Sequence, residues 1–508
     1  MKKNIIRALC LLLGLVACLL PLSACGGSGD GGKETEEETR KPNTNQADDL
    51  PEHDFKDKTF VIYNSIDEVG SWGGSNLYIE GDESDTTSVT QFVISRNAYI
   101  EENMNATLKY VNVSEMYNKV TEYHRNLLLS GEQMDLFINK LYPLVNLSLE
   151  GALTNVANNN YFDYFSDYWY TDYMNELSLD CNTCYFLAGD YFMDIIRTVN
   201  VLVYNMDMMN ETYATGNNGF LEMVKDGDGA TGGWTIEQMV TLANTATVIS
   251  GDVLDNNTYG FVSDQIWGSM IPLLGGFDLD YVTIEDNKAT VTLNNNTSAE
   301  ALTQLKALFL GEGAPGYELS DGISSFGADT KLENLTAKQH FIAGRSLFLG
   351  GERFASMATF SDMTAKWGVV NYPKVNDRQT NYIAPTHDTT ELGAIPRNCT
   401  QKDDVLQLLE YLSLLTHKTV MSEYYDNLLK FRYSKEPAVA EMVDLIHNNL
   451  GGSFVMGYNN AFGDYFMWHP FYVALLLNRE FAAYYPTYSN ALVSKAEYVL
   501  GEWQRYLE

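Results

Sequence analysis

Short apolar runs rich in β-branched residues alternate with helix-spaced stretches from Lys58 onward, and that alternation restricts the chain to few architectures. Thr59-Phe-Val-Ile-Tyr63, Thr107 to Val113 and Met134-Asp-Leu-Phe-Ile138 read as strands. Between them, Phe92, Val93, Tyr99 and Ile100 recur at helical spacing, and Leu127-Leu-Leu129 closes a second helix. Strand–helix–strand–helix–strand with short links implies a parallel sheet covered on both faces. Ligands of such sheets sit at the carboxyl ends of the strands, so the loop after the first strand, with Trp72 inside Gly70–Gly74, is expected to face a ligand. A second unit opens with a strand at Thr198–Tyr204. Thr235 with Gln238 then forms a capping-box pattern ahead of Ile236, Met239, Val240 and Ala243, and Thr297 with Glu300 repeats it ahead of Leu302, Leu305 and Phe309. A further helix is expected near Asp403, carrying Val405, Leu408, Leu409 and Leu412 on one face, and the tail from Asn478 to Glu508 reads as helical.

The N-terminus carries an address. Lys2, Lys3 and Arg7 precede an apolar run from Ala8 to Leu20, the layout of an export signal. Leu22-Ser23-Ala24-Cys25 resembles the lipobox of bacterial lipoproteins, which implies cleavage before Cys25 and a lipid anchor on its sulfur. Residues 25–54 follow as a polar, flexible tether; about 30 residues at ~5–6 Å × √n give a mean reach of roughly 30 Å. The formal charge is −34, and it becomes more negative once the three leader cations are removed. Such a surface repels nucleic acid and anionic lipid alike, so attachment falls to the acyl chains. Behind leader and tether about 450 residues remain, enough for two lobes. Of the other cysteines, Cys181 and Cys184 have the CxxC spacing of redox and zinc sites. Their flanks, Leu177–Leu179 and Tyr185–Leu187, read as strands around a turn. A structural disulfide, inert thiols, a redox pair and a metal site all remain open there.

Several ordered fragments carry a wider resemblance. Leu129–Phe137 (LSGEQMDLF), Glu150–Thr154, Val201–Asn205 (VLVYN), Gly233–Glu237 (GWTIE), Tyr259-Gly-Phe261, Phe341–Arg345 with the following Ser-Leu-Phe-Leu, Trp367–Pro373 and Gly393–Pro396 occur in the order of the family 1 extracellular solute-binding proteins. These are the binding components of ABC importers for sugars and oligosaccharides. The resemblance implies a two-lobed α/β fold of the type II periplasmic-binding-protein kind. It places crossings near Met193–Asn200, Val375–Pro385 and Leu428–Tyr433, hence lobes of 55–195 with 386–428 and of 200–380 with 430–508. The expected partners are a sugar ligand and permease transmembrane subunits at the outer face of the cytoplasmic membrane, with the receptor a monomer. The chain departs from the family pattern in having Gly-Gly before the Trp-Thr pair and no alignable motif in 438–476.

Sugar sites need flat rings for C–H faces and carboxylates, amides or Arg for hydroxyls. Candidate ligand residues are Trp72, Asp190, Tyr191, Trp267, the Glu352–Arg353 pair and Trp468; Trp234, beside a helix cap, reads as scaffold. Asp226, Asp228 and Glu237 stand at positions 1, 3 and 12 of a calcium-loop pattern, but Ala230 and Thr231 break it, and no cofactor is otherwise expected. No catalytic motif is present, and accidental carboxylate pairs are inevitable among 67 acids, so no enzyme is read from the chain. A surface glycan-acting enzyme and a receptor for a peptide, polyamine or metal are the alternatives.

Overall fold

The structure is a computed structural model that describes residues 53–66, 76–114, 116–157, 159–163, 166–178, 183–285, 288–319, 328–425, 437–462 and 468–505. The chain divides into residues 1–43 and 44–508, and every described residue falls in the second unit. The expected leader and the expected lipidation site Cys25 lie outside the described residues.

Two four-stranded sheets organise that unit. In the first, strand Lys58–Ile66 pairs in parallel with Ala106–Ser114 on one side and Leu136–Lys140 on the other, and Glu391–Ala394 joins antiparallel at the outer edge of the latter. The expected parallel order is present, and burial explains it. Phe60 to Ser65 is buried without interruption, as a central strand covered on both faces requires, whereas Ala106–Ser114 largely alternates between covered and open positions, as an edge strand does. Helices Ser88–Asn103 and Met116–Ser130 make the crossovers.

In the second sheet the order is Trp367–Val370, Asn200–Asn205, Ser346–Arg353, Tyr259–Val262. Ser346–Arg353 runs parallel to Tyr259–Val262 and antiparallel to Asn200–Asn205, which is itself antiparallel to Trp367–Val370. The capping box at Thr235 is formed: Thr235 Oγ1 accepts from the Gln238 N–H while Gln238 Oε1 accepts from the Thr235 N–H.

Three local expectations are corrected. The second-sheet strand starts at Asn200, because Asp194–Thr198 is a short helix. Helix Asn296–Leu310 is capped by Asn295, whose side chain accepts from the Ser298 N–H at 2.9 Å, so Thr297 sits inside the first turn. Leu177 ends the short helix Thr171–Glu176 and is no strand.

Two crossings join the sheets. The first is Asp194–Thr198; the second returns through Ala384–Pro385, which bridges in parallel to Leu450–Gly451. The third expected crossing, Leu428–Tyr433, falls outside the described residues. Helix Pro437–Asn448 is tied to helix Gly216–Asp226 by the Lys225–Glu441 ion pair at 2.6 Å. The following turn leans the other way: a Cβ on Gly457 would stand 2.8 Å from Leu177 Cδ2 and 3.1 Å from Leu141 Cδ2.

Candidate functional site at the facing sheet edges

Strand direction locates the site. The three parallel strands of the first sheet end at Ile66, Ser114 and Lys140, and the antiparallel one begins at Glu391, directly from a crossing. In the second sheet Asn200 enters from a crossing, and the register sets Arg353 opposite Asn200 and Val370 opposite Leu202. Each sheet therefore turns its carboxyl edge toward the same hinge, where ligands of open α/β sheets bind.

The hinge floor is ionic and bonded across its length. Arg197 Nη1 pairs with Asp194 Oδ1 at 2.8 Å, and Asp194 Oδ2 accepts from the Glu391 N–H at 2.9 Å. Thr198 and Thr390 hydroxyls lie 2.8 Å apart, and Asn200 Nδ2 donates to the Pro385 carbonyl at 2.8 Å. The Arg197 guanidinium rests 4.9 Å above the Tyr78 ring. Arg353 is buried beside the charges of Asp194 and Asp388, and burial lowers its pKa to about 10. A recess walled by Leu141, Tyr173, Gly275, Thr386, Gly452 and Met456 sits beside this hinge.

Of the sequence-derived candidates, two adjoin at one strand end and a third lies on the helix packed against it. Glu352 and Arg353 end strand Ser346–Arg353, and a bulge between Leu349 and Glu352 re-aims them. Gly350-Gly351 makes that bulge possible. Gly351 has φ +83°, and a Cβ on Gly350 would fall 2.3 Å from Ser269 Oγ. The Gly351 N–H donates to the Tyr372 hydroxyl at 2.9 Å. The Gly268 carbonyl approaches Gly351, which brings the first turn of helix Ile266–Gly276, with the partly buried Trp267, against this bulge. Glu352 is held by Lys338 Nζ at 2.9 Å and by the Ser356 hydroxyl at 2.5 Å.

The remaining candidates lie elsewhere. Trp72 is outside the described residues. Tyr191 is fully buried with the Arg96 guanidinium 4.8 Å above its ring, so it has no surface to offer a ligand. Asp190 is buried too, with one oxygen accepting from the Tyr170 hydroxyl and the other bonded to His417 Nδ1, both at 2.5 Å. Trp468 is 3% exposed and packs edge-on to Tyr472 at 5.2 Å, in the core.

Cys184 is a free, buried thiol whose Sγ faces the Phe186 carbonyl at 3.6 Å; Cys181 is outside the described residues. Burial pushes its pKa up to about 12, which leaves an unreactive thiol. The calcium-like turn is built around a different cation. Lys374 Nζ donates to the Gly227, Ala230 and Thr380 carbonyls at 2.7, 2.9 and 3.3 Å, while Asp228 accepts from the Tyr382 N–H and Asn449 Nδ2. Glu237 stands in the first turn of helix Ile236–Ala246. No group of three or more potential metal ligands occurs among the described residues.

Sequence reasoning missed polar residues that break the apolar strands at this edge: Asn64 and Ser65 after Tyr63, and Asn139 after Ile138. The signal was available, because a buried strand that turns polar at its carboxyl end breaks the pattern of a covered sheet.

The Asp190–His417 bond makes the fold pH-sensitive. The hydrogen bond to Asp190 raises the His417 pKa above 6.5; the charges of Asp190 and Asp167 add to this, and burial and Lys418 oppose it. A raised histidine pKa contributes stability that is complete below about 6.5 and fades as pH rises through the folded value. His417→Gln should therefore lower the melting temperature more at pH 5.5 than at pH 8. Equal gaps at the two pH values would show that the pair does not titrate with folding.

No protein-family profile matches the chain, and no curated protein does. Solved structures do. The sugar-binding protein MalE of Xanthomonas citri superposes with a TM-score of 0.56 at 12% identity, covering 88% of this chain and 98% of that one. The galacto-N-biose/lacto-N-biose I-binding protein of a Bifidobacterium longum ABC transporter, in complex with lacto-N-biose, gives 0.52 at 13%, over 87% and 97%. Mycobacterium tuberculosis UspC gives 0.51 at 13%, over 86% and 100%. The chain has the fold of the two-lobed, MalE-like binding proteins.

Proposed function

We propose that the chain is the substrate-binding component of an ABC importer, held outside the cytoplasmic membrane by a lipid on Cys25, and that it closes its lobes on a sugar or oligosaccharide. The observation that carries this reading is the pair of carboxyl edges turned to one hinge, one of them ending in Glu352 and Arg353 with the helix that bears Trp267 packed against the same bulge. A ligand that touches both edges only when they meet stabilises the closed arrangement by that difference in contact. Support comes also from relatives of the same fold: one is described as a sugar-binding protein, another as an ABC-transporter receptor bound to lacto-N-biose. The lipobox-like segment supports the anchor, and the tether's reach suits delivery to permease subunits from a monomeric receptor. The reading assigns no catalytic role to any residue.

Calorimetry of the purified chain tests the proposal, with maltotriose, cellotriose, xylotriose and lacto-N-biose set against a tripeptide, spermidine and zinc. At least one sugar should bind, and Trp267→Ala should weaken it about tenfold or more, since a buried ring stack carries about 1–2 kcal/mol. Binding of the peptide, polyamine or metal with no sugar response overturns the ligand class. Product release from a labelled glycan overturns the receptor reading in favour of an enzyme.

A further inference from the structure

A turn between two second-lobe helices is seated on the first lobe. Up to Asn449 the chain belongs to the second lobe: Lys225 pairs with Glu441, and Asn449 Nδ2 donates to Asp228 Oδ2 at 3.2 Å. From His469 it belongs there again. Helix His469–Leu476 packs on helices Ile266–Gly276 and Asn296–Leu310, and Lys306 Nζ donates to the Arg479 carbonyl at 2.7 Å. In between, the partners are first-lobe residues. A Cβ on Gly452 would lie 2.7 Å from the Tyr173 carbonyl oxygen, and one on Gly457 would meet Leu177 and Leu141. Neither glycine has a positive φ, so close approach, not backbone conformation, is what calls for glycine here. The Tyr458 ring stacks on Phe454 at 4.3 Å and stands edge-on to Phe186 at 6.3 Å. Tyr458 is fully buried, and Val455, Met456 and Phe462 are nearly so. Lifting the turn would return that apolar surface to water.

We infer that Gly452–Phe462 is an interlobe strap, which holds the two lobes in the present arrangement before any ligand arrives and comes off its seat when they part. The turn is tied to the second lobe at both ends, through Asn449 and through helix His469–Leu476. The link from Asn449 to Gly452 spans at most about 11 Å when extended, which leaves little slack. A rotation that separates the lobes must therefore pull the turn from Tyr173, Leu177 and Leu141. The seat adds its contacts to the joined state, so less of a ligand's binding free energy goes into closure. That effect on the ligand rests on the proposed function; the strap itself does not.

Gly452→Ala tests the strap with one methyl group, set against a backbone oxygen that cannot swing aside; Gly501→Ala, in open space, is the control. Both are read first in the full chain without ligand. In the wild type the amides of Gly457, Tyr458 and Phe462, bonded to the Ser453, Phe454 and Tyr458 carbonyls, should exchange slowly with deuterium. Gly452→Ala should speed that exchange about tenfold or more while helix Pro437–Asn448 stays protected. It should also enlarge the radius of gyration in small-angle scattering, and Gly501→Ala should do neither. The Gly452→Ala Kd for whichever of maltotriose, cellotriose or xylotriose the wild type binds should rise about tenfold. Fast exchange at these amides in the wild type overturns the strap whether or not the variant folds. A Gly452→Ala chain that keeps wild-type exchange or radius overturns it as well. Unchanged affinity with an enlarged radius overturns the effect on the ligand alone. A wild type that takes no sugar removes the ligand class and leaves the strap to stand on exchange and scattering.

Discussion

Trp234→Ala should lower the stability of the chain by about 3–5 kcal/mol, the range for emptying a buried aromatic site. Trp234 has no exposed surface. Its ring stands edge-on to Phe220 at 5.1 Å and tilts over Phe348 at 5.6 Å, which joins helix Gly216–Asp226 to the middle of the second sheet. Its Nε1 donates to the Asn371 carbonyl at 3.1 Å, so truncation removes a donor as well as a ring. Little can collapse into the gap. The backbone at Gly233 has φ +78°, and a Cβ there would lie 2.4 Å from the Gly227 Cα. Urea unfolding followed by far-UV circular dichroism measures the loss, and Trp234→Phe should recover part of it by filling most of the volume. A loss below about 1 kcal/mol would place Trp234 outside the packed core, against its burial.

What could be read from the chain was local. The central strand announced itself through a continuous apolar run, and the Thr235–Gln238 cap through chemistry confined to four residues. The same cap rule put a helix start at Thr297, where Asn295 holds it, because both residue types satisfy the rule and only the turn geometry chooses. The candidate site was less legible because its decisive partners are distant. Asp190 looked free for a ligand, yet His417, 227 residues away, holds it. Gly227 read as part of a solvated turn, yet an ammonium 147 residues downstream fills it. Glu352 and Arg353 stand just past glycines that mark the bulge aiming them, a feature the chain shows locally.

Asp194→Asn should cost about 3–5 kcal/mol, because it removes one member of a buried ion pair and leaves the other uncompensated. Asp194 is fully buried, and Arg197 is 5% exposed. Burial pushes the Asp194 carboxyl up, while Arg197, the Glu391 N–H, Arg353 and Lys140 draw it down, so its charge answers several neighbours. The asparagine keeps the shape and can still accept from the Glu391 N–H, which isolates the charge as the cause. Replacing the pair together, as Asp194→Leu with Arg197→Met, should recover part of the loss, since apolar groups of similar size carry no desolvation cost. Recovery stays partial because Arg353 would still lack the Asp194 charge and the Glu391 N–H its acceptor. Urea unfolding of the three variants separates these terms. If Asp194→Asn lies within about 1 kcal/mol of wild type, the hinge floor does not depend on this charge, and its stability must come from the uncharged bonds at Thr198–Thr390 and Asn200–Pro385.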